Sequence, residues 1–186
     1  MAHIDSIDEL AEAVTRAWSE CGVALKPQMA GDNDGEKEGH YILVLLEFLY
    51  FFVHMVRRYA IPILGQEGEE KLLNELQPLL IDYAVKICFA RFDEDYRRHV
   101  SGRLPVGLSE RDDYYADGDL NAPDPGVTGD RPWIVTMLIR HVNLQSGKPF
   151  PNPHIAREVI NITVGQLIAL DLEKRIVDIK THRFLT

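Results

Sequence analysis

Four residues have types and spacing that could do chemistry: His40, Glu47, His54 and Arg58, all inside the most apolar stretch of the chain, residues 40–61. On a helix turning about 100° per residue, His40 and Arg58 lie about 20° to one side of Glu47 and His54 about 20° to the other. One narrow edge therefore carries a carboxylate, two imidazoles and a guanidinium, crowded by Leu43 and Phe51 on its flanks. A carboxylate desolvated among Leu, Phe and Tyr side chains is pushed toward neutral pH, which would suit Glu47 to act as base or ligand, with His54 as acid or ligand. Tyr50 and, from a later helix, His141 complete the residues expected to line such a pocket.

Glu47 and His54 are about 10 Å apart along the axis, so they cannot bond each other. Each needs a partner from another helix, or a ligand between them. A buried carboxylate is expensive unless paired, and Arg140 or Arg157 is the natural structural answer, in which case the edge is an ion pair or a thin solvent seam. Metal chemistry is weaker. His141 and the His154/Glu158 pair could contribute ligands, but the Glu-x-x-His spacing of carboxylate-bridged di-iron bundles is absent. Asp117, Asp119, Asn121 and Asp124 could hold a hard cation, yet Ala122 stands where a calcium loop wants Gly, and Asp32, Asp34 and Glu36 lack a closing Glu. No metal or cofactor is expected. No nucleophile elbow, phosphate loop, dinucleotide fingerprint or zinc-ligand cysteine pair occurs, which argues against an enzyme of the kinds that such motifs advertise.

The element that must position this edge is a nearly all-apolar helix over 40–61, which belongs in the middle of a protein; Glu47 and His54 interrupt it too soon for a membrane span. Around it the spacing predicts an amphipathic helix opened by the Ser6–Glu9 capping box and closing at Gly22. Residues 26–39, rich in Gly, Asp and Asn, read as a flexible linker. Pro62 stops the central helix, and another starts near Glu69 and reaches toward Gly102. Residues 102–130, with repeated Gly and Pro and seven acids against two bases, read as a long acidic loop. Asp112, Asp113, Tyr114 and Tyr115 within it are candidates for contact with a partner protein. Asp130 is a candidate cap for a helix from Ile134 to Gly147, and Asn152-Pro153 starts another. Residues 159–164 alternate like a strand, but with no partner strand in the chain they are read as helix. Beyond them, Val164, Leu167, Ile168, Leu172, Ile176 and Ile179 are expected on a buried face.

The chain of 186 residues is long enough for one helical domain with a sizeable core. Its 20 Lys and Arg against 29 Asp and Glu give a net charge of −9, which disfavours nucleic acid and anionic membrane as partners. Cys21 and Cys88, each among apolar neighbours, read as buried reduced thiols, and the start of the chain shows no secretory signal, so a cytoplasmic location is expected. The fold expected is an all-α, single-domain bundle of five to six helices around the 40–61 helix. The function expected is a protein-protein interaction or regulatory role, with a copy of itself as one possible partner. The alternative is a small-ligand or metal pocket, or an enzyme built on one, at Glu47, His54 and Arg58.

Overall fold

The computed structural model describes residues 6–120, 132–149 and 151–184, without the side chains of 183 and 184. Among these residues it is an all-α bundle built on one long apolar element. Helix α1 spans Ile7–Leu25 and begins as its sequence dictates: Ser6 Oγ accepts from the Glu9 amide at 3.2 Å, while the Glu9 carboxylate accepts from the Ser6 amide at 2.6 Å. Its buried stripe of Ile7, Leu10, Val14, Trp18 and Cys21 packs on the next helix and on the fifth. Gly22 does not end it. A Cβ there would fall 2.2 Å from Leu45 Cδ2, so this glycine serves close helix-helix approach and the helix runs on to Leu25.

Residues 26–39 are not a linker throughout. A short 3₁₀ turn covers Lys26–Gln28, and Asn33 caps helix α2 (Asp34–Cys88) by accepting from the Glu36 amide at 3.0 Å. The stretch is also tied down tertiarily. The Ala30 amide donates to the Ser146 carbonyl at 2.9 Å, and His40 Nδ1 donates to the Gln145 carbonyl at 2.7 Å.

Helix α2 is one element only in hydrogen-bond bookkeeping. Gly65, at φ 75° and ψ 175°, breaks it into arms 34–64 and 66–88. In a straight helix Arg57 and Glu69 would lie about 18 Å apart along the axis, from 1.5 Å per residue. They form an ion pair at 2.9 Å, and Glu38 pairs with Arg91 at 2.6 Å, so the second arm folds back along the first as a hairpin. Pro62 does not stop the first arm, which runs on to residue 64; the break comes at Gly65, and the second arm starts at 66 rather than near Glu69. The first arm carries the apolar rod: Phe48, Leu49, Phe51, Phe52 and Val56 have no exposed surface. Helix α2 is long and apolar enough to cross a bilayer, but 67% of its most apolar window is buried by the other helices, as in the core helix of a bundle.

The second arm ends at Cys88, and a new helix begins where Asp93 accepts from the Tyr96 amide at 2.8 Å. This α3 spans Glu94–Tyr115 and replaces the first half of the expected 102–130 loop. Its Gly and Pro content suggests a loop, yet Leu104, Leu108, Arg111 and Tyr115 recur at helical spacing and face α2. Tertiary contact overrides local propensity. At Gly107 a Cβ would come 2.6 Å from the Tyr50 hydroxyl, so a larger residue there requires the end of that ring to shift.

A short pairing of Asp119 with Trp133 precedes α4 (Ile134–Gln145), which buries Ile134, Val135, Met137, Leu138 and Val142. Trp133, without a side-chain cap, stands at its start; the expected cap Asp130 lies outside the described residues, as do Asn121 and Asp124. Asn152 caps α5 (Pro153–Leu170), accepting from the His154 and Ile155 amides. Residues 159–164 are helical, and α5 passes Thr163 without opening a fresh helix. The break comes at Asp171, in left-handed backbone, before α6 (Leu172–Ile179). That shift rotates the face: Leu172, Ile176 and Ile179 are buried as expected, while Ile168 is 75% exposed. Cys21 and Cys88 are buried and unbridged.

The backbone of Gly65 lies in a region open essentially to glycine alone, so Gly65→Ala should lower stability by about 1–3 kcal/mol although a Cβ there meets nothing within 4 Å. Gly65→Asn should give no rescue, because asparagine tolerates left-handed helical backbone and not this one. Urea unfolding midpoints check both.

Candidate functional site

The polar edge of the central rod meets α3, and the two together make a buried network in two halves. In the first half Glu47, 2% exposed, is held by Arg111 Nε at 2.9 and 3.1 Å to its two oxygens, and by the Tyr115 hydroxyl donating at 3.1 Å. His141 Nδ1 stands 3.8 Å away. Burial pushes the Glu47 carboxyl above its ordinary range, while Arg111 and Tyr115 pull it back. Burial pushes the Tyr115 hydroxyl well up, with Glu47 adding to the effect. His141 goes the other way: burial first, then Arg111 and Arg140, lower it to about 4. Near neutral pH it is therefore uncharged, and its approach to Glu47 is a weak polar contact rather than an ion pair.

In the second half His54 Nδ1 lies 2.6 Å from Asp112 Oδ1. Asp112 Oδ2 takes a short ion pair from Arg57, whose Nε reaches Glu69 on the second arm. Burial raises the Asp112 carboxyl, but the His54 bond and the Arg57 charge outweigh it and hold the group below its usual value. Glu69 shows the opposite balance, raised by burial against the pull of Arg57.

The expected site residues are thus distributed rather than gathered. Glu47 finds an arginine, neither Arg140 nor Arg157 but Arg111 from the segment read as loop. Arg58 turns to the α3 end, donating to the Ala116 carbonyl at 3.3 Å. Tyr50 is half-buried beside Gly107, its hydroxyl pushed to about 12 by burial and then by Glu47. His40 serves the α4 end described above. Tyr114 packs edge-on against His141 with centroids 4.3 Å apart, and Tyr115 is fully buried, so these tyrosines belong to the core-facing end of α3 and not to a free loop. Asp113 is exposed and Asp112 is committed to His54 and Arg57. Among the described residues no group of three or more His, Cys, Asp or Glu side chains is placed to hold a metal ion. Sequence reasoning missed Arg57, Glu69 and Arg111. The one available signal was the three- and four-residue spacing of Leu104, Leu108, Arg111 and Tyr115, hidden by Gly102, Pro105 and Gly107.

Two spaces border the network. The larger, about 870 Å³, lies among α3, α4 and α5, walled by Met137, Ile139, Pro153 and Ala156 with Tyr114, Arg140 and Asn143 at its polar points. The smaller, about 210 Å³ and mostly polar, lies among both arms of α2 and α3, at His54, Gln77, Ser109 and Asp112. With three groups already bonded to or beside it, Glu47 is not available as a base. The ring of His54 has one nitrogen spent and the other, Nε2, without a partner.

Removing the cation from a buried pair leaves an uncompensated charge, so Arg111→Ala should cost about 3 kcal/mol at neutral pH. Adding Glu47→Gln to it should recover most of that loss, since the amide still accepts from Tyr115 and carries no charge; a urea-unfolding double-mutant cycle measures the coupling. A carboxyl raised in the fold keeps its proton to higher pH than in the unfolded chain, so the Arg111→Ala deficit should widen as pH rises above the ordinary carboxylate range. For His141 the sign reverses. The unfolded imidazole protonates near 6.5 and the folded one near 4, so stability should fall as pH drops through that window. His141→Gln should flatten this part of the profile.

The comparisons with known proteins add no relative: no family model, no curated protein and no solved structure matches the chain, so function is argued from its own geometry.

Proposed function

We propose that this protein binds a small molecule with an apolar body and an anionic or hydrogen-bond-accepting end in the cavity between α3, α4 and α5. The observation that carries the reading is the cavity itself. Its 870 Å³ lies within the roughly 300–1,000 Å³ common for ligand pockets, and its wall combines apolar side chains with a few convergent polar groups. Arg140 supplies the cationic point and the Tyr114 hydroxyl a second polar contact, while Met137 offers an adaptable apolar surface. In this reading the Glu47–Arg111–Tyr115 cluster is the support behind the pocket: it fixes the end of α3 that presents Tyr114.

A second reading, association with another protein chain, is supported by an aromatic corner where α2 meets α3. Phe92 and Tyr96 stack with centroids 4.8 Å apart beside Phe89, and both are exposed, as is Ile87. In that case the net charge of −9 favours a partner with a basic face. Both readings are of a soluble cytoplasmic protein without nucleic acid or membrane as partner.

Anilinonaphthalene sulfonate, an apolar body with one anionic group, is a direct probe of the cavity. It should bind saturably by fluorescence, about tenfold more weakly in Arg140→Ala, from the loss of one charge-assisted contact. Ala156→Trp, which fills the space, should abolish it. Binding indifferent to both substitutions would remove the cavity as the site, and a dimer by light scattering that Phe92→Glu dissociates would then favour the second reading.

A further inference from the structure

Two charged side chains, Asp117 and Arg140, stand on the wall of the 870 Å³ cavity, and no other described residue lining it is charged. They come from different elements. Asp117 follows the end of α3, three residues after Tyr114 and on the same side of the chain's turn, while Arg140 lies on α4 with Thr136 and Met137. A Cβ on Gly118 would come 2.9 Å from Ile134 and 3.0 Å from the Met137 sulfur, whereas Tyr114 packs against His141. The end of α3 therefore runs beside α4 in the opposite sense, with Asp117 near the first turn of α4 and Arg140 about one turn farther along. Both are exposed, and neither forms a hydrogen bond or an ion pair among the described residues.

Given that this cavity is a ligand site, as proposed above, we propose that its ligand is a zwitterion with an apolar body, its carboxylate set against Arg140 and its ammonium against Asp117. One cation and one carboxylate leave the wall formally neutral, so an anion gains from Arg140 but is opposed by Asp117, and a cation meets the reverse. A molecule bearing both signs gains from each. The guanidinium fork suits a carboxylate in particular, and the carboxylate of Asp117 only accepts, which suits an ammonium. The wall amides are already occupied. Asn143 accepts from the Asn152 amide at 2.7 Å, and the Asn152 side chain accepts from the His154 and Ile155 amides.

An α-amino acid carries both charges on one carbon, at the end of its side chain. It can present them together to Asp117 and Arg140 while Met137, Ile139 and Ala156 receive the apolar remainder. A large apolar amino acid is the simplest member of the class.

Ligand-detected NMR titrations of the full chain test the proposal with three indoles: tryptophan, N-acetyltryptophan, which lacks the cation, and tryptamine, which lacks the carboxylate. Tryptophan should bind about fivefold more tightly than either, the size of one exposed ion pair. Asp117→Asn should abolish its advantage over N-acetyltryptophan and keep that over tryptamine, and Arg140→Gln should do the reverse. Neither side chain has a bonded partner to lose, so Tm should stay within a few degrees in both variants. Ala156→Trp should remove the binding of all three. Equal binding of the three indoles, binding by none of them, or an advantage over N-acetyltryptophan that survives Asp117→Asn would overturn the proposal. Anilinonaphthalene sulfonate, which carries no cation, separates the two levels. Saturable dye binding lost in Ala156→Trp, beside three equal indoles, sinks the zwitterion and leaves the cavity standing, whereas dye binding indifferent to Ala156→Trp removes the cavity itself.

Discussion

A carboxylate buried in the middle of an apolar rod has to be matched, and the match decides how the bundle closes. Glu47 sits where phenylalanine and leucine surround it, and ionised it would be intolerable there without a cation and further hydrogen bonds. Arg111 and Tyr115, one helical turn apart, supply both from a single face of α3. Once they are in place, α3 has no freedom of register on α2. Asp112 is delivered to His54 and Arg57, Gly107 to the Tyr50 ring, and Ala116 to Arg58. Slipping α3 by one residue would turn Arg111 away by about 100° and leave the carboxylate unpaired.

The same network reaches the second arm of α2. Arg57 holds Asp112 and Glu69 at once, so three helical segments meet on one guanidinium beside the Gly65 reversal. Planar, forked donors suit such a bridge better than a lysine ammonium would. Where the apolar surfaces of the arms bury each other, this pairing adds direction to contacts that have none of their own. A hydrophobic rod by itself could accept a neighbour at many angles, whereas a buried ion pair accepts few.

Helix α3 separates two kinds of empty space. One side, at Tyr114, faces an apolar cavity completed by α4 and α5. The other, at Asp112, faces a small polar recess beside the α2 hairpin. The Glu47 cluster stands between them as support, fully used by its own partners. Arg140 lines the cavity and His54 the recess, while Glu47 between them is bonded to Arg111 and Tyr115.

Much of the architecture was legible because it is local. The Ser6 capping box, the apolar run of 40–61, the turn around Gly65, the Asn152 cap and the helical reading of 159–164 all follow from side chains within a few residues of one another. The uneven edge of the rod also announced that Glu47 and His54 would need partners. Which partners they took was not legible. Arg111 is 64 residues from Glu47, and Asp112 is 58 from His54, so the pairing depends on where α3 packs. The sequence misdirected the reading of α3 as well, since Gly102, Pro105 and Gly107 are loop signals by propensity, and the tyrosine pressed against Gly107 comes from another helix. By itself the sequence determined that an oily helix with one polar edge had to be enclosed by other helices, because burial follows from periodicity. The tertiary structure alone decided that this edge would be a closed ion-pair network with its free space displaced to either side, because charge pairing acts across contacts that no local pattern encodes.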